Sequence, residues 1–350
     1  MEEVGKMLEL ITLILFFFAL YAIVSLSLNL EFGYGGIPNF GKALSVLTGA
    51  IVVGGILNRL IIWYFGVEGD IISASGVASY QLTEIISQNP IVGLGIFIFC
   101  ILLAVILGGI VGALSILPSA KLKGDYLGVT LLAISEVVYF IMFYNTGIIG
   151  GYYGVSTPDI LAFVPGEYKI YTYTVLALIC ALIVYIFLER LLNSPYGRIL
   201  RGHRENEDLI KAFGRDVMKL RVKTMALGSA IAAIAGVIFV FYSSSVVGNA
   251  FNRVEWTFYP FLIVLLGGRG NNRGVVLGAF IFVLLKMLID FYKYDIKSLL
   301  HLPFEAIWIQ YIVFGMLALL ILCYKPEGLL KEKPIYTPPI RSRLDNSQNS

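Results

Sequence analysis

The sequence predicts an all-α polytopic membrane protein with about 8–10 transmembrane helices, some broken or re-entrant, and one short helix at the cytoplasmic surface. Hydrophobic residues make up 58% of the 350 residues, charged residues only 14%, and the mean hydropathy is +0.84. Long apolar runs recur along the chain, whereas residues 189–223 hold 14 of the 49 Asp, Glu, Lys and Arg side chains. The net charge of +3 is too small to indicate nucleic acid as a partner.

Apolar runs long enough to cross a bilayer, which takes about 20 residues, define the membrane domain. They lie near residues 8–30, 38–60, 91–117, 125–146, 170–190, 223–245, 257–290 and 306–324. The seventh run is interrupted by glycines, and the first has no small-residue cleavage site, so it is taken as a span. We therefore expect one transmembrane domain over residues 1–330 and a disordered cytoplasmic tail, rich in polar residues and Pro, over 331–350.

Lysine and arginine set the expected orientation. Both are absent from residues 61–120, so the segment 61–90 is predicted to be a loop outside the cell. The basic segment 193–222 and the tail are predicted to lie inside, together with Lys121 and Lys123. The side of the N-terminus stays open, because Lys6 is offset by acidic residues.

The basic segment 193–222 carries signals for a short helix at the membrane surface. Pro195 and Gly197 are interpreted as a turn. The polar residues before Leu209 favour a helix start, and Gly214 suits the left-handed position that ends a helix.

Three glycine-rich stretches interrupt the apolar pattern, at residues 33–36, 147–154 and 267–274. A broken helix leaves backbone groups unpaired, which a bilayer tolerates only inside protein or along a watery path. These stretches are candidate elements of a transport pathway. An ordinary polar turn between helices explains each of them equally well.

Isolated polar residues give weaker signals. Glu136 interrupts an apolar run and is expected to face the bundle interior, either for function or for a structural hydrogen bond. Lys286 and Asp290 are spaced to pair along one helix, and His203 and His301 are expected to be solvated. No catalytic arrangement, metal site or cofactor site is predicted.

Residues 36–42 match most of a phosphate-binding loop, but Ala43 replaces the residue that would ligate magnesium, and no strand precedes it. We therefore predict that the chain is not an enzyme. Any ATP hydrolysis would belong to separate subunits.

Five motifs, taken in order, carry a resemblance to a known family. They are Ser27–Leu30 with Gly33–Gly36 and Asn39–Gly41; Leu122–Leu127 with Leu132–Glu136; Ser194–Arg198 with Arg204–Glu207 and Phe213–Gly214; Leu265–Gly270 with Gly274 and Leu277–Ala279; and Lys325–Leu329. In these motifs the chain resembles the permease subunits of ABC importers for branched-chain amino acids. The stretch Lys123–Leu127 is more similar to the M-type than to the H-type paralogue.

The resemblance implies a prokaryotic plasma-membrane permease in a lipid bilayer, and a set of partners. These are a paralogous permease, two ATP-binding cassette ATPases and an extracytoplasmic solute-binding protein. The implied ATPase-coupling residues are Arg204, Glu205, Asn206, Glu207, Leu209, Phe213 and Gly214. Candidate pathway residues are Asn39, Lys42, Glu136, Asn145, Gly267 and Gly268. A substrate carboxylate would best be met by free backbone amides at a glycine break.

Two departures from the family pattern leave the substrate open. Lys42 stands where the family usually has His, and the segment 61–90 is longer than expected. Within the same family, a permease for amides, urea or sugars is an alternative. Outside it, the alternative is a stand-alone secondary transporter or channel that uses Glu136, with a membrane-embedded enzyme a distant third.

Overall fold

Helices make up most of the part of the chain that the structure describes. A computed structural model describes residues 2–119, 122, 124–299 and 305–332. The helices are α1 (Glu2–Leu28), α2 (Lys42–Ile51), α3 (Asn58–Phe65), α4 (Ile71–Gln88), α5 (Pro90–Ile116), α6 (Asp125–Tyr144), α7 (Thr146–Ile149), α8 (Gly166–Leu192), α9 (Pro195–Glu205), α10 (Glu207–Ala212), α11 (Val217–Ser243), α12 (Tyr259–Gly267), α13 (Asn272–Leu299) and α14 (Ile307–Tyr324). Two-residue strands β1 (Val155–Ser156) and β2 (Ser245–Val246) pair antiparallel. Tighter or wider helical turns occupy Asn29–Tyr34, Val52–Leu57, Gly248–Phe251 and Val254–Phe258.

Seven helical stretches of the described chain are long and apolar enough to span a membrane. They are Met7–Tyr34, Lys42–Phe65, Pro90–Ile116, Asp125–Tyr144, Gly166–Leu192, Val217–Ser243 and Asn272–Ser298. Trp308–Tyr324 is a shorter apolar helix. The all-α polytopic class is therefore confirmed, with seven long spans and one shorter helix where about 8–10 spans were predicted.

The predicted interruption of the run 257–290 is confirmed. Helix α12 ends at Gly267 and α13 begins at Asn272. With the turn before it, α12 covers residues 254–267, roughly 21 Å of helix at 1.5 Å per residue. That is shorter than the apolar core of a bilayer, about 30 Å, so this segment is a half-helix.

The segment 61–90 was predicted to be a loop, and that prediction is wrong for most of its length. Helix α3 continues to Phe65, and α4 occupies Ile71–Gln88. The Asp70 side chain caps α4 by accepting a hydrogen bond from the amide of Ile71 at 2.9 Å. Polar residues spaced along this stretch hid the helix from a search for apolar runs.

The end of the bundle that carries residues 193–222 is called the basic end. The turn that extends α1 reaches it, because Arg204 donates to the carbonyl of Gly33. Helix α1 therefore starts at the opposite end, on the same side as α4. This arrangement gives the side of the N-terminus relative to 193–222, which the charge pattern left open. His301, Lys121 and Lys123 lie outside the described residues.

Helix α11 lies at the centre of the bundle and packs closely on two neighbours through small residues. On α5, a Cβ atom at Gly108 or Gly112 would overlap Ala233 or Ser229 of α11. On α2, a Cβ atom at Gly49 would overlap the Ala233 carbonyl. In a membrane, where apolar burial between helices adds little, such close packing holds helices together.

Replacing Gly112 with Leu should force α5 away from α11 and destabilise the bundle, by about 1–3 kcal/mol for an overpacked contact. The matched control is Gly95→Leu on the same helix, because a Cβ atom there meets no atom within 4 Å. The thermal unfolding midpoint of the detergent-solubilised protein measures the difference. Equal midpoints for the two variants would contradict this packing role.

Candidate functional site

Residues 193–216 form two short helices and their connections before α11 begins at Val217. Ser194 caps α9 by accepting from the amide of Tyr196 at 3.2 Å, and Pro195 is the first helical residue. The predicted turn at Pro195 and Gly197 is therefore wrong, because proline fits the first position of a helix, where no amide donor is needed. A side chain at Gly197 would overlap the end of α8 at Leu192, which explains the glycine.

Asn206 separates α9 from α10. The short helix predicted to end at Gly214 is α10, and α9 is a second helix that was not predicted from the sequence. The backbone of Asn206 is extended, and its side chain accepts from the amide of Leu209 at 3.0 Å. The predicted helix start before Leu209 is confirmed. Gly214 has φ +70°, which confirms its predicted left-handed conformation.

Four side chains on the outer side of α9 and α10 form an exposed surface, here called the outer patch: Glu205, Asp208, Leu209 and Phe213. Leu209 is 51% exposed and Phe213 73% exposed. They are four residues apart, with the two acidic residues beside them. Large apolar side chains exposed within a polar rim are typical of a surface that binds another protein.

The inner side of α9 is held against the end of α1. His203 is buried, and its Nδ1 lies 2.9 Å from the carbonyl oxygen of Gly35. The prediction that His203 is solvated is wrong, since this face of α9 packs on the glycine-rich turn at residues 33–36. Burial lowers the pKa of His203 from its usual value. Because a carbonyl oxygen only accepts, Nδ1 donates to the Gly35 carbonyl. The lowered pKa favours the neutral imidazole.

Arg204 connects three segments. It donates to the Gly33 carbonyl and forms ion pairs with Glu205 at 2.8 Å and Glu332 at 2.6 Å. Arg204 is one of the residues implied for ATPase coupling. Its side chain lies largely inside, between α9 and the residues that follow α14.

Glu207 fastens α10 to the central helix. It lies 2.8 Å from Arg221 of α11 and 2.8 Å from Lys211. Burial alone would raise the pKa of Glu207, but the Lys211 hydrogen bond and the Arg221 charge outweigh it and lower the pKa. Arg221 also donates to the carbonyl of Leu122 at 3.0 Å. The outer patch is thus carried by helices that are tied on their other side to α1 and α11.

A buried charge cluster lies where α1 turns into α2. The side chains of Glu31 and Lys42 are both 0% exposed, and their Oε1 and Nζ atoms are 2.9 Å apart. The second carboxylate oxygen of Glu31 accepts from Nδ2 of Asn39 at 3.0 Å. Asn39 and Lys42, both candidate pathway residues, therefore meet in one neutralised cluster. This geometry also excludes a phosphate-binding role for Lys42.

The turn between α12 and α13 is tied to the end of α1. Asn29 accepts from the amide of Gly270 at 2.9 Å and donates to Asn272 at 3.0 Å. Asn272 in turn donates to Glu189 of α8 at 3.1 Å. The amides of Arg273 and Gly274 donate to the Asn271 side chain. The expectation of free amides is not met at these positions, because each already has a partner.

Gly267 and Gly268, the other two candidate pathway residues at this end, allow close backbone contact. The chain after α14 lies on them, and a Cβ atom at Gly268 would overlap the Leu330 carbonyl. Gly268 also has φ +110°, a conformation that favours glycine. A pathway role for either residue stays a prediction.

A cavity of about 680 Å³ opens at the basic end beside this turn. It is lined by polar and charged side chains from α8, α9, the α12–α13 turn and the chain after α14, among them Glu189, Arg201, Asn271, Arg273 and Glu332. The described structure therefore places two of the glycine breaks and the inner side of α9 around one cavity.

Glu136 and Asn145 lie apart from this cluster. Glu136 of α6 is partly exposed and lies 3.3 Å from Arg253, so its carboxylate is ion-paired. Asn145 is exposed and caps α7 by accepting from the amide of Gly147 at 2.9 Å. Their roles in a pathway stay predictions.

Comparison with known proteins identifies the family of this chain. The family described as "Branched-chain amino acid transport system / permease component" matches residues 10–322. The chain belongs to this family. The permease is 61% identical over 337 residues to the probable branched-chain amino acid transport permease protein LivM of Methanocaldococcus jannaschii, covering 96% of this chain and 98% of that protein. The resemblance drawn from the five motifs, including its M-type character, is confirmed.

A more distant relative shares most of the chain. The permease is 27% identical over 319 residues to the high-affinity branched-chain amino acid transport system permease protein LivM of Escherichia coli, covering 84% of this chain and 68% of that protein. No solved structure matches the permease. With its long apolar helices, it is a multi-pass integral membrane protein.

Three residues of the basic end were missed in the sequence: Asn29, Glu31 and Glu332. Glu31 could have been found, since a carboxylate in the first apolar run and Lys42 in the second flank one glycine turn. Glu332 could not, because its arginine partners are more than 120 residues away in sequence. The first two residues of the predicted disordered tail 331–350, Lys331 and Glu332, are hydrogen-bonded to the rest of the protein. Residues 333–350 lie outside the described residues.

Breaking the Glu31–Lys42 pair should destabilise the permease more than removing it. Lys42→Met leaves a buried carboxylate without its cation, which costs about 3–5 kcal/mol. The double variant Glu31→Gln with Lys42→Met should recover most of that loss. Unfolding in detergent of the wild type, both single variants and the double variant measures the coupling. A double variant that loses the sum of the single losses would contradict the pair.

Proposed function

We propose that this permease is one subunit of an ATP-driven importer that translocates branched-chain or related amino acids delivered by an external binding protein. Two relatives named as branched-chain amino acid transport permeases support the substrate class. The observation that carries the proposal is the outer patch on α9 and α10. It is exposed on one side, and the helices that carry it are bonded on the other side to α1 and α11.

The outer patch has the chemistry of a docking site for an ATPase subunit. Leu209 and Phe213 can enter an apolar cleft, while Glu205 and Asp208 can pair with cations at its rim. ATP hydrolysis belongs to that partner. The residues implied for coupling are thereby divided: Glu205, Leu209 and Phe213 face the partner, whereas Arg204 and Glu207 hold the helices to the bundle.

Motion of the docked helices would reach the bundle by two routes. Glu207 pulls on Arg221 near the start of α11, the most buried of the long spans. Arg204 pulls on Gly33, at the end of α1 and next to the Glu31–Lys42 cluster. Because packed helices shift as rigid bodies, movement at the basic end would change the arrangement of spans around a pathway.

The complete importer would contain a second, paralogous permease and two ATPase subunits. This chain has one docking segment, which engages one ATPase, so a machine with two ATPases needs a second permease. The binding protein would dock at the opposite end, over α4 and the residues 147–169 that follow α6. There Glu136, Arg253 and Asn145 are near enough to the surface to meet an arriving substrate.

Phe213→Ala should lower ATP-driven uptake at least tenfold, because it removes the largest apolar group of the outer patch. The chain should still insert and fold, since Phe213 is 73% exposed. Phe187→Ala on α8 is the control, as it removes an exposed ring from a membrane-spanning surface. Uptake and co-purification of ATPase subunits are the measurements. Wild-type uptake in Phe213→Ala, or uptake without any ATPase, would favour a secondary transporter.

A further inference from the structure

The segment that follows α14, residues 325–332, is here called the C-terminal strap. It lies across the end of the half-helix α12. The amide of Leu329 donates to the carbonyl of Leu266 at 2.8 Å, and the amide of Leu330 to that of Gly267 at 3.0 Å. Asn271 adds a hydrogen bond from its side chain to the Lys331 carbonyl at 2.9 Å. The strap is therefore fixed to α12 and to the turn that leads into α13.

Two glycines make this contact possible. Gly328 of the strap has φ +75° and lies against Gly268 so closely that a Cβ atom on either would overlap the backbone. The strap amides thus replace the helical donors that the last carbonyls of α12 lack. The half-helix would otherwise leave those carbonyls unpaired at the basic end.

The last described residue of the strap joins it to α9. Glu332 accepts from Nε of Arg201 at 3.1 Å through one carboxylate oxygen and from Nη2 of Arg204 at 2.6 Å through the other. All three side chains are mostly shielded from solvent. A carboxylate held by two guanidinium groups in a shielded site is far more restrictive than a single surface ion pair.

Both arginines have further partners that fix their positions. Arg201 lies 4.9 Å above the ring of Tyr34 and donates to the Leu192 carbonyl at 3.3 Å. Arg204 donates to the Gly33 carbonyl. Glu332 therefore binds to a rigid face of α9 and not to two mobile side chains.

We propose that Glu332 is a positioning residue that couples the ATPase-docking helices to the half-helix α12 through the C-terminal strap. A displacement of α9 moves Arg201 and Arg204, these move Glu332, and the strap carries the movement to Leu266 and Gly267. The inference rests on the proposed function. It adds a third route of coupling to the two through α11 and through the end of α1. This route leads to the break between α12 and α13.

The test uses the complete transporter, with its permease and ATPase partners, reconstituted in liposomes. Glu332→Gln keeps the shape of the side chain and removes the charge that both arginines share. Uptake per ATP hydrolysed should fall about fivefold or more, with the hydrolysis rate largely retained. Glu332→Asp, which keeps the charge, should recover part of the ratio. The control is Glu327→Gln in the same strap, which breaks only the exposed pair with Lys331.

A second readout separates coupling from loss of structure. In Glu332→Gln, addition of ATP should no longer change hydrogen exchange at the Leu329 and Leu330 amides, whereas Glu327→Gln should respond like the wild type. If Glu332→Gln fails to assemble, Arg201→Gln tests the same contact from α9 and should lower uptake per ATP similarly. Unchanged coupling ratios in assembled Glu332 and Arg201 variants would overturn the inference. Wild-type uptake that needs no ATPase would instead overturn the proposed function.

Discussion

Hydrogen bonding at broken helix ends is the constraint on which the basic end depends. A helix that stops within an apolar bundle leaves carbonyl and amide groups without partners, and lipid supplies none. Here the partners come from elsewhere in the chain. Arg204 and His203 bind the carbonyls of Gly33 and Gly35, Asn29 binds the amide of Gly270, and the C-terminal strap binds the end of α12. Satisfying these groups unites four segments that are distant in sequence.

That union explains how a surface helix can act on a membrane domain. Surface ion pairs alone contribute about 0–1 kcal/mol each, too little to drive packed helices. The contacts of α9 and α10 are of another kind, since they end on backbone carbonyls and on shielded charges such as Arg221 and Glu332. Beside them, Glu31 and Lys42 neutralise each other, so the α1–α2 turn carries a compact polar core without a net buried charge. The same residues therefore stabilise the basic end and, in the proposed importer, would transmit force through it.

Local signals in the sequence predicted local structure well. Hydropathy located the spans, and the caps at Asn206 and Gly214 and the break near Gly268 could be read from residue type alone. Pro195 was misread because proline marks both turns and helix starts. Contacts between distant segments could not be predicted. No residue near Glu332 in sequence identifies Arg204 as its partner. The residues that flank His203 do not indicate whether its side chain is buried or solvated. Amphipathic α4 escaped detection because its apolar residues are not consecutive.

The outer patch, the strap and the end of α12 should move as one body. Double electron–electron resonance on the reconstituted transporter tests this, with spin labels at Lys211 of α10 and at the exposed Arg269 of the α12–α13 turn, and a reference label at Gly95 of α5. Between nucleotide-free and ATP-bound states, the 211–269 distance should stay constant while both the 211–95 and 269–95 distances change. A change in 211–269 comparable to that in 211–95, with 269–95 fixed, would show that the strap does not carry the movement.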